Sequence, residues 1–218
     1  YHESDKFLLC AAIPRPWERY QFLRGSENAY MDMAEPEDAQ KRLKVIHDYY
    51  MREMELWAGT DVDSLSFMDD WGSQTSLLIS PATWRELFKP LYKDYCDMAK
   101  AAGKTIFMHS DGFIEPIYPD LVELGVTAIN SQVFCMNMEE LGQKYRGKIT
   151  FWGEIDRQHV LCADDLDIGT AAVKRFMDNL WSPEGGVIAL FDCTGANPAM
   201  PKHIYECFDR EFAQRMGK

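Results

Sequence analysis

Several absences narrow the reading before any motif is considered. No stretch of the chain gathers Lys and Arg: 35 acidic side chains outnumber 23 basic ones, for a formal charge of −12, so a polyanion such as nucleic acid finds no electrostatic footprint. No apolar run approaches the roughly 20 residues that span a bilayer, and no basic-then-apolar leader is present; a soluble, cytoplasmic protein without a membrane partner is expected. The six cysteines (10, 96, 135, 162, 193 and 207) include no CxxC pair and lack the dense spacing of a disulfide scaffold, so most are read as reduced packing residues. No Gly-rich phosphate loop follows an early strand, and no Pro/Gly/Ser-rich linker divides the 218 residues.

What is present is a regular alternation of strand-length apolar runs with helical patterns, the signature of βα units and a parallel sheet. Strands are expected at 7–12, 64–69, 105–109, 127–131, 149–153 and 187–191. One helix is expected over 36–58, with Leu43, Ile46, Tyr50, Met54 and Trp57 on one face and Gly59 after the end. A second starts at the Ser80-Pro81 cap and carries Trp84, Leu87, Phe88, Leu91, Tyr95 and Met98 at helical spacing until Gly103. Without the phosphate loop of a doubly wound sheet, the expected fold is α/β, a (β/α)8 TIM-type barrel. Six units fall short of eight, and a strand-like run begins almost at Tyr1. The expectation is a single barrel domain, 1–218, that starts inside a longer protein and represents its C-terminal part.

In such a barrel the functional residues sit just past the C-terminal end of each strand. Those positions hold Arg15, Asp69-Asp70 with Gln74, His109-Ser110-Asp111, Asn130 with Gln132, Glu154 with Asp156, and Asp192-Cys193. The set is rich in groups that transfer protons or bind metals. Adjacent carboxylates on an extended chain point to opposite sides, so one of Asp69 and Asp70 is expected to face the barrel axis, and the sequence does not say which.

The strings Phe67-Met68-Asp69-Asp70-Trp71-Gly72-Ser73-Gln74, Ile79-Ser80-Pro81, His109-Ser110-Asp111-Gly112, Asn130-Ser131-Gln132 and Trp152-Gly153-Glu154-Ile155-Asp156 resemble, in order, the landmarks of the superfamily of uroporphyrinogen decarboxylase and the related cobalamin-linked methyltransferases. The resemblance covers the chain from about Phe7 onward and implies a TIM-barrel enzyme. Its decarboxylase branch is cofactor-free and holds a polycarboxylate with arginines, whereas the strand ends here are mostly acidic, with only Arg15 and Arg157 close to one. Many members of its methyltransferase branch bind zinc through a His-x-Cys pair at one strand end and a later Cys at the last. The resemblance then implies His109, Asp111 in place of the middle cysteine, and Cys193 as metal ligands, with Glu154 a candidate fourth group. It also implies a corrinoid on a partner protein as methyl donor and a thiol or similar acceptor.

The leading expectation is therefore a zinc-dependent methyltransferase of this superfamily acting on a small molecule. Asp69, Asp70, His109 and Glu154 form the expected catalytic set, and Arg15, Gln74, Asn130, Gln132 and Asp156 the expected substrate-binding set. The alternatives are a cofactor-free decarboxylase and a non-catalytic barrel that binds a ligand or a corrinoid protein. Each residue also has a plainer role open to it: His109 as a satisfied core histidine, Cys193 as a small buried hydrophobe, Asp69-Asp70 as turn and cap formers, and Trp71 as core. His47, His159 and His203 are read as solvated.

Overall fold

Period-two burial marks a strand. Along Thr105–Ser110, Ile106, Met108 and Ser110 are buried while the residues between them are half-buried, the alternation of a strand whose two faces meet different surroundings. In the computed structural model, which describes residues 5–10, 13–184, 186–191 and 196–217, the chain forms two compact units, Tyr1–Thr127 and Ala128–Lys218. In the first, β1 (Ser64–Met68) pairs in parallel with β2 (Thr105–Ser110), Ser64 opposite Thr105 through Met68 opposite His109. In the second, β3 (Ala128–Ser131), β4 (Thr150–Glu154) and β5 (Val187–Leu190) are parallel neighbours in that order. Parallel pairing requires a crossover between strands. The helices α1 (Pro16–Arg24), α2 (Ser26–Asp32), α3 (Pro36–Ala58), α4 (Pro81–Leu87), α5 (Lys89–Ala101) and α6 (Tyr118–Leu124) belong to the first unit, and α7 (Met138–Tyr145), α8 (Leu166–Leu180) and α9 (Met200–Met216) to the second.

Three sequence expectations are corrected. The strand at 7–12 is reduced, among the described residues, to a single parallel bridge of Leu9 to Ser64, secured by Cys10 N–H to Ser64 C=O at 3.0 Å; Ala11 and Ala12 lie outside them. The helix expected from Ser80 to Gly103 is two. Pro90 occupies the first turn of α5, where its missing N–H costs nothing; in one continuous helix its ring would collide with the Glu86 carbonyl. Ser80 caps α4 as expected, accepting from Thr83 N–H at 3.0 Å. His47 is buried rather than solvated: its Nδ1 faces the Tyr95 hydroxyl at 3.1 Å and its Nε2 the Asp94 carboxylate at 2.9 Å, so α3 is clasped to α5.

The core of the first unit is aromatic. Trp17, Trp71, Trp84, Phe88, Tyr92 and Tyr95 are all fully buried, and Trp17 stacks on Trp71 with centroids 5.5 Å apart. The long α3 buries Leu43, Ile46, Tyr50 and Met54 as its spacing predicts. In the second unit β4 packs directly under α8: a Cβ on Gly153 would sit 2.0 Å from the Phe176 ring. No helix among the described residues is long and apolar enough to cross a membrane.

One carboxylate ties the first three helices together. Asp32, at the end of α2, accepts from the Tyr20 hydroxyl and Arg24 Nε of α1, both at 2.7 Å, and pairs with Arg42 Nη1 of α3 at 3.0 Å. The Arg24 hydrogen bond, helped by the Tyr20 hydroxyl and the Arg42 charge, lowers its carboxyl from 3.8 to about 2. A carboxyl that is more acidic folded than unfolded stabilises the fold above its unfolded value and loses that contribution as pH falls through the folded one. Denaturant unfolding between pH 5 and pH 2 is therefore expected to show a stability loss that Asp32→Asn reduces; parallel curves for the two proteins would contradict the clasp.

Candidate functional site

The strand alternation that buries Leu65 and Phe67 continues past β1 and β2 and sorts the polar residues that follow. Met68 lies opposite His109, and the ladder runs on through Asp69 N–H to His109 C=O at 3.1 Å. Asp69 and Ser110 then share the buried face, each with no exposed surface, while Asp70, His109 and Asp111 share the other.

Two glycines lock these strand ends together. A Cβ on Gly72 would meet Phe113 N at 2.2 Å, and one on Gly112 would meet Gly72 O at 2.1 Å, with Gly112 at φ +79°. Only glycine tolerates both the contact and the left-handed backbone. Backbone bonds stitch the two loops on either side of this contact: Gly72 N–H to Asp111 C=O at 3.1 Å and Phe113 N–H to Ser73 C=O at 2.8 Å. Ser110 Oγ accepts from Trp71 N–H at 3.1 Å, and Asp70 Oδ1 accepts from Asp111 N–H at 3.0 Å.

On this frame His109 Nε2 lies 3.5 Å from Asp70 Oδ1 and 3.8 Å from Asp111 Oδ1. One ligand atom from each of the three residues falls within 4.8 Å of the others, and all three side chains are half-buried. The His109 hydrogen bond, then the Asp111 amide, hold the Asp70 carboxyl below its ordinary range against the effect of burial. The cluster therefore presents an anionic oxygen beside an imidazole, which suits either a divalent cation or a proton relay.

Asp69 has a different job. Its Oδ2 accepts from Trp17 N–H at 3.0 Å and the Tyr92 hydroxyl at 2.7 Å, and its Oδ1 from Glu18 N–H at 2.8 Å. Trp17 and Glu18 open α1, so this carboxylate satisfies amides that the helix itself leaves bare. Tyr92 in turn accepts from the Trp71 indole N–H at 2.8 Å. Burial pushes the Asp69 carboxyl well up, and the three donors pull the other way. The adjacent pair that sequence left undivided is thus divided: Asp69 holds α1 in place and Asp70 faces the cluster.

Holding α1 also places Glu18, which sequence reading passed over. Burial, followed by the Asp70 charge, raises its carboxyl, while Arg15, His109 and Arg19 pull it down. Its Oε2 is buried and accepts no hydrogen bond; the Arg15 guanidinium pairs with it at 3.4 Å. The signal was available: Glu18 is three residues past the strand-end position Arg15, behind a helix-starting Pro16. Gln74, expected to bind substrate, is exposed in the loop after Gly72.

The remaining expected residues belong to the second unit. Glu154, nearly buried at the end of β4, pairs with Arg157 at 3.0 Å. Asn130 donates to Trp152 C=O at 2.8 Å, bracing β3 on β4. Asp156 is consumed by its own turn, accepting from Gln158 and His159 amides at 2.8 and 3.0 Å and facing His159 Nδ1 at 2.9 Å. The Gln132 carbonyl accepts from Cys135 N–H at 3.1 Å. Cys193 lies outside the described residues.

Parallel βα units with a carboxylate–histidine cluster at the C-terminal ends of neighbouring strands describe an α/β protein of the TIM-barrel class. The chain belongs to the uroporphyrinogen decarboxylase (URO-D) family, which it matches over residues 4–210. A solved methyltransferase from Methanosarcina mazei has a similar fold, with a TM-score of 0.71 at 12% identity; the match covers 91% of this chain and 57% of that one. The chain thus spans just over half the length of that methyltransferase. No curated protein sequence matches it.

The glycine contact makes the site's geometry testable. Gly112→Ala is expected to lower stability by about 3 kcal/mol or more, since its Cβ would overlap backbone. Gly103→Ala, at φ +67° with nothing within 4 Å, carries only the backbone strain of about 1 kcal/mol. Equal losses in denaturant titrations would refute the claim that the two loops are locked at Gly72 and Gly112. Asp69→Asn, which opposes an amide to three donors, is expected to cost about 2 kcal/mol, and Asp70→Asn much less; the reverse order would undo the division of roles.

Proposed function

We propose that this chain carries the metal-binding half of a methyltransferase site, in which Asp70, His109 and Asp111 hold a zinc ion. The observation that supports it most is the spacing of the three donor atoms. Zinc bound tetrahedrally at about 2.0–2.2 Å keeps its ligands roughly 3.3–3.6 Å apart, and His109 Nε2 lies 3.5 and 3.8 Å from the two carboxylate oxygens. The nitrogen–oxygen donor set suits zinc as well. Asp70 joins His109 and Asp111, two of the expected ligands; the third, Cys193, lies outside the described residues.

Zinc held there would supply an open position that makes a thiol acceptor more acidic. The chain's own residues do the rest. Asp70, kept anionic by His109 and the Asp111 amide, fixes the charge of the site. The locked loops hold the donors at their spacing, and Arg15 and Glu18 lie close enough for their charges to act on Asp70. The methyl group is proposed to arrive on a corrinoid carried by a partner protein. Decarboxylation of a polycarboxylate fits less well, because the cations it needs are engaged: Arg15 faces Glu18 and Arg157 faces Glu154.

Metal analysis of the purified protein is expected to find about one zinc per chain, lost in both His109→Ala and Asp70→Asn. With methylcobalamin and 2-mercaptoethanol, demethylation should fall by about a hundredfold or more in His109→Ala. Wild-type protein that holds no zinc yet turns over would move the assignment to a metal-free Asp70–His109 proton relay.

A further inference from the structure

A groove of different chemistry runs along α5 in the first unit. Ion pairs of Lys89 with Asp120 and Glu123, and of Arg85 with Asp120, join α6 to the first turn of α5 and to α4. Helices α6 and α5 are unequal, 7 residues against 13, or about 10 Å against 20 Å. Along the rest of α5 the groove has a volume of about 680 Å³, within the range of pockets that hold small molecules.

Its lining is unlike the rest of this acidic chain. Five cations, Arg85, Lys89, Lys93, Lys100 and Lys104, border it, with Asp97 and Glu123 as the acids. Three of the cations are engaged by carboxylates: Arg85 and Lys89 as above, and Lys93 by Asp97. The other two are not. Lys100 has no ion-pair or side-chain hydrogen-bond partner among the described residues. The Lys104 ammonium is held by the carbonyls of Thr60 and Val62 at 2.8 and 2.6 Å, which engages two of its three N–H donors and leaves its charge unneutralised. The apolar part of the lining is Pro90 and Leu124, with Ala99, Ile106 and Cys96 buried behind it. Burial pushes the Cys96 thiol up to about 12, so it adds no negative charge.

We infer that this groove binds a phosphate-bearing organic molecule, its anionic head against Lys100 and Lys104 and its apolar body against Leu124. Lysine ammonium groups bind phosphate as point charges, and an apolar lining beside them favours an organic phosphate over inorganic phosphate. The groove borders the start of β2 through Lys104, just before it, and Ile106, whereas the cluster lies at its far end, at His109 and Asp111. Lys104 and His109 are five residues apart on this extended segment, about 16 Å at about 3.3 Å per residue, so an anionic head on Lys104 leaves the metal cluster uncovered.

Calorimetric titration of the whole protein with phenyl phosphate is expected to give saturable one-to-one binding. Inorganic phosphate should bind at least about tenfold more weakly, because it lacks the apolar part. Lys100→Glu, at an exposed and unpaired position, should weaken phenyl phosphate at least about tenfold with unchanged circular dichroism, and Lys100→Arg should restore most of it. Unchanged affinity in Lys100→Glu overturns the site, as does absence of saturable binding; equal affinity for the two phosphates overturns the apolar half of the assignment. His109→Ala should leave the titration unaltered, and an equal loss in that variant would place the ligand at the metal cluster instead.

Discussion

Backbone touching backbone at Gly72 and Gly112 is the constraint on which the site depends. With no side chain on either residue, the loops after β1 and β2 approach until a methyl group would overlap carbonyl atoms, and the amide bonds on either side of that contact fix their relative height. Asp70 precedes one glycine by two residues, and Asp111 directly precedes the other. Their carboxylates therefore inherit the precision of the backbone rather than of flexible side chains. Sites that must hold donors to within about half an ångström need such rigid support.

The same frame explains how neighbouring aspartates acquire opposite tasks. Period-two geometry turns Asp69 toward the aromatic core, where three donors and complete burial make it a fixed anchor for α1. It turns Asp70 toward His109. Anchoring α1 in turn delivers Glu18 and Arg15 to the same strand-end region, so a helix cap and a reactive cluster are parts of one arrangement. The Trp71–Tyr92–Asp69 chain of hydrogen bonds couples that arrangement to the core, which is why the site region is among the most aromatic parts of the molecule.

Much of this was legible in the sequence, and the limits have physical causes. Apolar runs located β1 to β5 within a residue or two, and α3 matched its expected bounds because a continuous buried stripe between Pro36 and Gly59 admits one solution. The break at Phe88 was missed because the apolar spacing carries on through Pro90, and only proline's missing donor reveals the restart. Strand alternation announced that Asp69 and Asp70 diverge; which of them faces the cluster depends on the register with β2, a long-range fact. His47 escaped notice because its partners, Asp94 and Tyr95, come from a helix 47 and 48 residues away. Glu18 was hidden for the same reason, since its position follows from Asp69 reaching back across 51 residues.

The most direct measurement is anomalous diffraction at the zinc absorption edge on crystals of the zinc-loaded protein. The account predicts one strong peak bonded to Asp70, His109 and Asp111, with Asp69 left in contact with the amides of Trp17 and Glu18. A peak placed elsewhere, or zinc-loaded crystals without one among those three residues, would contradict it.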